Sequence, residues 1–149
     1  MDLVGRKLAK DGGRGVRAFF DLVGRDIAAA RAAGDPAGVA APLEQALGQL
    51  QGATMWLAQN GMADPNNAGA GAYAYMQLMG LVSLGWMWLK MAGVSDRLKG
   101  QPGEDKPFHL GKLATARFFA ARELVVADAL RRKVEAGADS VMALPMEAF

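Results

Sequence analysis

The stretch GAYAYMQLMGLVSLGWMWLKMAG, Gly71–Gly93, decides the fold. All of it up to Leu89 lies in a run of 22 residues without a formal charge, from Ala68 to Leu89. A bilayer-spanning helix needs about 20 apolar residues, so length alone admits a membrane span. A helix that is apolar all round is equally what the centre of a soluble bundle requires. The polar members are Gln77, Ser83 and Lys90, with hydroxyls on Tyr73 and Tyr75. At helical spacing Gln77 falls on a different side from Ser83 and Lys90, so no single water-facing stripe survives. Gly69, Gly71, Gly80 and Gly85 dilute the hydrophobicity and allow neighbouring helices to approach closely. No basic asymmetry flanks the segment to orient it in a membrane. A buried core helix is therefore expected, with Trp86 packed centrally on the line Tyr75, Met79, Val82, Trp86, Leu89.

A core helix needs amphipathic partners, and the sequence supplies them on both sides. In GRGVRAFFDLVGRDIAAARAAG, residues Val16, Phe19, Phe20, Val23, Ile27 and Ala30 recur at helical spacing. Arg14, Arg17, Asp21 and Arg25 fall on the other side, with Asp21 placed to pair with either Arg17 or Arg25. Gly34 ends this helix, and Asp35-Pro36 offers an N-cap with proline at the first position of the next. The second helix shows Val39, Leu43, Ala46, Leu47, Leu50, Ala53 and Leu57 on one face, and Pro42 leaves its first turn either kinked or separate. Gly61 and ADPNNAGAG read as a loop before the central segment, and GQPGEDKP as a loop after it. From Pro107 a further helix steps along Leu110, Leu113, Ala114, Phe118, Ala121, Val125 and Ala129. Gly137 stops it, Asp139 is placed to cap a short final turn, and Pro145 closes that turn. Four long helices with short connections predict an all-α, antiparallel up-down-up-down bundle with short terminal helical segments.

Composition sets the outer bounds. The chain of 149 residues is 52% hydrophobic and 21% charged, a globular balance in one domain's length. A net charge of +2 gives no electrostatic case for nucleic acid. Without cysteine there is no disulfide, thiol nucleophile or thiolate metal site, and a reducing, cytoplasmic location is expected. MDLVGRKLAKD has no apolar core region and does not read as a signal peptide.

Motifs that could carry chemistry each yield to a simpler reading. Gly13, Gly15 and Ala18 match a dinucleotide-binding spacing, with Asp35 at the right remove, but RKLAKD before them cannot be the strand that such a site needs. His109 is the single histidine, without the Glu-x-x-His pairs of a bundle metal site, and is expected on the surface of a first helical turn. Glu104 and Asp105 read as solvated loop carboxylates without positioned partners, and Arg131, Arg132 and Lys133 as cations at a helix C-terminus. Trp86 and Trp88, with Met76, Met79, Met87 and Met91, read as packing rather than a ligand groove. No catalytic, cofactor-binding or metal-binding residue is expected in this chain.

Several stretches nevertheless resemble a known family. DLVGRKL, Asp2 to Leu8, is similar to the segment that follows a Tyr-Glu-Gly-Thr motif in a branch of the flavin-dependent acyl-CoA dehydrogenases. YAYMQLMGLVSLGWMWLKMA, KLATARFFAARELV and the terminal ADSVMALPMEAF resemble the extra C-terminal helical domain of that branch, which includes enzymes similar to 3-methylmercaptopropionyl-CoA dehydrogenase. The resemblance implies that residues 1–10 are the tail of a preceding dehydrogenase-domain helix and residues 11–149 the extra helical bundle. It implies FAD, a glutamate base and fatty-acid metabolism for the parent enzyme. Base, middle β-domain and flavin contacts would lie before Asp2, with Met1 either native or an added start, so this chain alone would be colourless and inactive. The implied role is a structural and oligomerisation module. The implied partners are the remainder of the dehydrogenase polypeptide, further copies in a homo-oligomer, and acyl-CoA through the parent enzyme. Alternatives are a bundle lining the acyl-CoA entrance through Tyr73, Tyr75, Trp86 and Trp88, or a membrane-association module, the last expected least.

Overall fold

The computed structural model describes residues 2–8 and 10–148; Met1, on which the question of an added start turns, lies outside them. The described residues form an all-helical bundle without strands. Helix α1 spans Arg14–Ala32, α2 Ala40–Ala63 and α3 Pro65–Leu98. The fourth column is a near-continuous helix in pieces: α4 Lys106–Phe118, a π turn Phe119–Glu123, a 3-10 turn Leu124–Val126, and α5 Ala127–Glu135. One turn at Leu3–Lys7 precedes the bundle; a turn closed by Val141 N and Met142 N on the Ala138 carbonyl lies before Pro145, as expected, and a further one at Met146–Ala148 follows it.

The connections show how local chemistry sets each boundary. Asp35, with φ of +39°, accepts hydrogen bonds from the Val39 and Ala40 amides at 3.0 Å each. It thus caps α2 as its residue type suggests, but across a turn through Gly38, so Pro36 lies outside the helix. Pro42 fits the first turn of α2, where its missing N–H has no helical partner to lose, and neither of the sequence's two alternatives is needed. The expected loop over Pro65–Gly71 is helix instead. Asp64 alone joins α2 to α3, accepting from Asn66 N at 2.9 Å, and Pro65 takes the first helical position.

Helix α3 is the centre. It packs against α1, α2, α4 and α5, and the initial turn also rests on it, with Leu3, Val4 and Leu8 against the core. Tyr75, Leu78 and Val82 are fully buried, facing a set that includes Leu43 and Leu50 of α2 and Val134 of α5. Gly85 permits a close crossing: a side chain there would lie 3.0 Å from Leu43 Cδ1 and 2.9 Å from Leu124 Cδ2. Trp86 is not central. It is half-buried, edge-on to Phe19 of α1 with ring centroids 6.0 Å apart, and donates through Nε1 to Asp26 at 2.7 Å. The indole N–H requires a polar partner, and that holds the ring at the α1–α3 margin.

The two lateral helices meet sequence expectation differently. On α1, Val23 and Ile27 are buried, and Phe19, Phe20 and Ala30 pack beside them as the spacing predicts. The anticipated Asp21 ion pairs do not form among the described residues; Arg25 donates to the Asp21 carbonyl instead, and Arg31 pairs with Glu44 of α2. On the fourth column the buried face is His109, Leu113, Ala116, Ala120, Leu124, Ala127, Leu130 and Val134. Of the apolar face read from the sequence only Leu113 belongs to it. Leu110, Ala114, Phe118, Ala121, Val125 and Ala129 are exposed. This column is apolar on two faces, and the one carrying Leu113, Leu124, Leu130 and Val134 among alanines fits into the bundle.

Candidate functional site

Polar groups inside the bundle are few and serve structure. Tyr75 Oη lies 2.8 Å from Thr54 Oγ1, whose hydroxyl reaches the Leu50 carbonyl at 2.7 Å. Burial pushes the Tyr75 phenol up to about 12, only partly offset by the threonine. At the α1–α3 margin Asp26 accepts from Trp86 and from Lys90 at 3.0 Å, and these two donors, the indole first, hold its carboxyl below the usual range. Asn67 ties three helix ends together: its Oδ1 accepts from Ala138 N at 2.9 Å and its Nδ2 donates to Asn60 O at 3.3 Å. Gly137, with φ of +68°, lets the chain turn beneath that amide, where a side chain would lie 2.9 Å from Asn67 Oδ1.

His109 and its neighbours correct the sequence reading. His109 is buried, and its Nε2 lies 3.0 Å from Glu104 Oε2, while Nδ1 is enclosed without a partner. Asp105 caps α4 by accepting from Phe108 N at 3.1 Å. The loop carboxylates are therefore positioned, one on the histidine and one on the helix start. The sequence signal was present in the five-residue separation across a capped first turn, but no pattern announced the burial of the ring.

These groups do not converge on one another. Among the described residues no three His, Cys, Asp or Glu side chains lie together as a metal site would require. A groove between α2 and the fourth column, lined by Pro42, Gln45, Gln49 and Leu124 among others, measures about 90 Å³, and an open recess beside Arg6, Lys7 and Lys10 about 400 Å³. Tyr73, Tyr75, Trp86 and Trp88 do not share a surface. Tyr73 is exposed, Tyr75 is in the core, Trp86 faces α1, and Trp88 packs toward Phe119 with ring centroids 6.3 Å apart. Gly13 adopts a left-handed conformation to start α1, so the glycine spacing there serves a helix start.

The prominent surface feature is apolar. On α3 Tyr73, Met76, Leu84, Met87 and Val94 are 68%, 53%, 56%, 39% and 44% exposed. The fourth column exposes Phe108, Leu110, Phe118 and Val125, with Phe108 at the seam to α3 and Val125 on the side of α2. Lys112 lies 5.7 Å from the Trp88 ring and 5.2 Å from the Phe108 ring, covering part of the seam between the two helices. Helix α3 is long and apolar enough to cross a membrane by length and composition, yet a third of its most apolar window is buried in the bundle. Soluble monomers rarely expose contiguous apolar faces of this kind unless something covers them.

The fold is an antiparallel helical bundle that leaves an apolar row of α3 exposed. The chain belongs to the family described as "Acetyl-CoA dehydrogenase C-terminal like", which matches residues 17–145. It is 30% identical over 142 residues to a 3-methylmercaptopropionyl-CoA dehydrogenase of Ruegeria pomeroyi, covering 95% of this chain and 24% of that protein. The chain thus spans about a quarter of the length of the relative it matches.

Proposed function

We propose that this chain is the accessory C-terminal domain of an FAD-dependent acyl-CoA dehydrogenase, and that its role is structural: it packs against protein and holds subunits together. The observation that carries the reading is the uncovered apolar flank of α3 and the fourth column, on a fold whose polar groups are spent on caps and internal ties. Flavin and the catalytic base belong, on this reading, to the rest of a longer polypeptide in the cytoplasm. Acyl-CoA is its partner only through that polypeptide. Titration of the purified chain with acyl-CoA, followed by tryptophan fluorescence, tests the role. No saturable change is expected. A saturable quench, abolished by Trp88→Ala, would instead assign the bundle to the substrate entrance.

A further inference from the structure

The fourth column breaks where its register does not require it to. His109, Leu113, Ala116 and Ala120 are buried before the break, and Ala127, Leu130 and Val134 after it. Ala120 and Ala127 stand one heptad apart, which an unbroken α-helix closes to within about 20° of two full turns. Yet Leu124 N donates to Phe119 O, five positions back, and Ala127 N to Leu124 O, three back. The first bond widens the helix and the second tightens it. Their effects on rotation offset each other, so both ends keep the register of one continuous helix. Only the residues between them change direction.

The pair that matters is Glu123 and Leu124. In an unbroken helix Glu123 would lie about 60° to one side of the Ala120 direction and Leu124 about 40° to the other, both toward the bundle. The wide turn removes the overshoot of Leu124 and carries Glu123 further away, and the tight turn then brings Ala127 back inward. As a result Leu124 is buried against Gly85 of α3, while Glu123 is exposed. Without the break the carboxylate would swing toward the Gly85 notch, whose other lining is Leu43 and Leu124. Burying an unpaired charge there costs more than the loss of regular helical hydrogen bonds. Leu124 would turn the opposite way, toward the side of Val125 and Asp128, which line the groove of about 90 Å³ against Pro42 and Gln45 of α2. That groove is the space Leu124 would take in an unbroken column.

We propose that the fourth column is a two-form device in which the charge at position 123 selects the form. The broken form holds Leu124 in the Gly85 notch and the carboxylate in water. The other form is one helix from Lys106 to Glu135, with the side chain of position 123 over the notch and Leu124 in the groove beside α2. Glu123→Leu tests this directly. In that variant the Leu124 amide should pair with the Ala120 carbonyl, and the backbone carbon shifts of residues 121–126 should become those of a regular α-helix. Amide exchange at Leu124 and Ala127 should slow by at least about tenfold, and the urea midpoint should rise. Glu123→Lys, which keeps a charge at the position, should retain the break and the exchange rates of the unaltered chain. Unaltered shifts and exchange in Glu123→Leu would overturn the proposal, because the fit of Leu124 to Gly85 would then hold the break by itself. A continuous helix in Glu123→Lys would overturn it equally. Glu123→Ala adds no bulk and should also close the column; it carries the test if the leucine variant does not fold, and a break retained there sinks the idea.

Discussion

Helix α1 and the fourth column both flank α3, and both carry an apolar face in their sequence, yet only α1 buries the face that its spacing reveals. The outward side of α1 bears Arg14, Arg17, Asp21 and Arg25, so its inward side is the only apolar choice. The fourth column offers two. Leu110, Phe118 and Val125 point out with Ala114, Ala121 and Ala129, while Leu113, Leu124, Leu130 and Val134 point in with Ala116, Ala120 and Ala127. Two of the inward side chains meet glycines of α3, Leu124 at Gly85 and Val134 at Gly71, where bare backbone leaves room for a branched side chain. The comparison teaches that an amphipathic helix declares its core only when the opposite side is polar. A helix apolar on both sides is dressed for two partners, one of which is the bundle.

The largest expected effect sets the two faces of the fourth column against each other. Leu124→Ala should cost about 2–5 kcal/mol in chemical denaturation, because Leu124 fills the space over Gly85. Phe118→Ala, removing a larger side chain that is 59% exposed, should cost under about 1 kcal/mol. Equal losses would erase the distinction between faces.

Alkaline titration sharpens the inward side of α3. The Tyr75 phenol is raised to about 12 in the fold, whereas in the unfolded chain a tyrosine titrates near 10. Between those values the folded state retains a proton that the unfolded state has lost. Stability from this group is therefore complete below about pH 10 and falls as pH rises, by up to about 1.4 kcal/mol per unit. Tyr75→Phe should flatten that limb; an unchanged slope would place the proton loss elsewhere.

Two glycines give a smaller contrast. Gly85→Val should destabilise by about 1–3 kcal/mol, since Leu43 and Leu124 must both shift. Gly48→Ala on the open side of α2, where nothing lies within 4 Å, should stabilise by up to about 1 kcal/mol. A stabilising Gly85→Val would show that the crossing is slack.

Much of this architecture was legible in the sequence. All seven residues read as the inner face of α2, Val39 to Leu57, are buried, because they recur at helical spacing with Glu44, Gln45, Gln49 and Gln51 between them. The uncharged run in α3 did mark a core helix, yet its periodicity gave no warning of how much of its outer side stays uncovered. Trp86 was misplaced because hydrophobic size was weighed without its N–H, which Asp26, sixty positions earlier, holds at the margin. His109 was missed because its burial depends on α4 docking against α3 and on Glu104 folding back, neither of which leaves a local periodic trace. The loop read over Pro65–Gly71 failed for a simpler reason: proline and asparagine are turn residues in isolation and helix-start residues behind a capping aspartate.

The proposal that the outer face of α3 holds subunits together can be tested on one molecule by methionine oxidation. Met76 and Met87 lie on that face and are 53% and 39% exposed; Met55 and Met62 lie on α2 and are 61% and 84% exposed. Brief peroxide treatment of the chain, first dilute and then concentrated, followed by mass spectrometry of the peptides, reports access to each thioether. The account predicts that Met76 and Met87 become protected on concentration while Met55 and Met62 oxidise at unchanged rates. Identical rates for all four at both concentrations would contradict it.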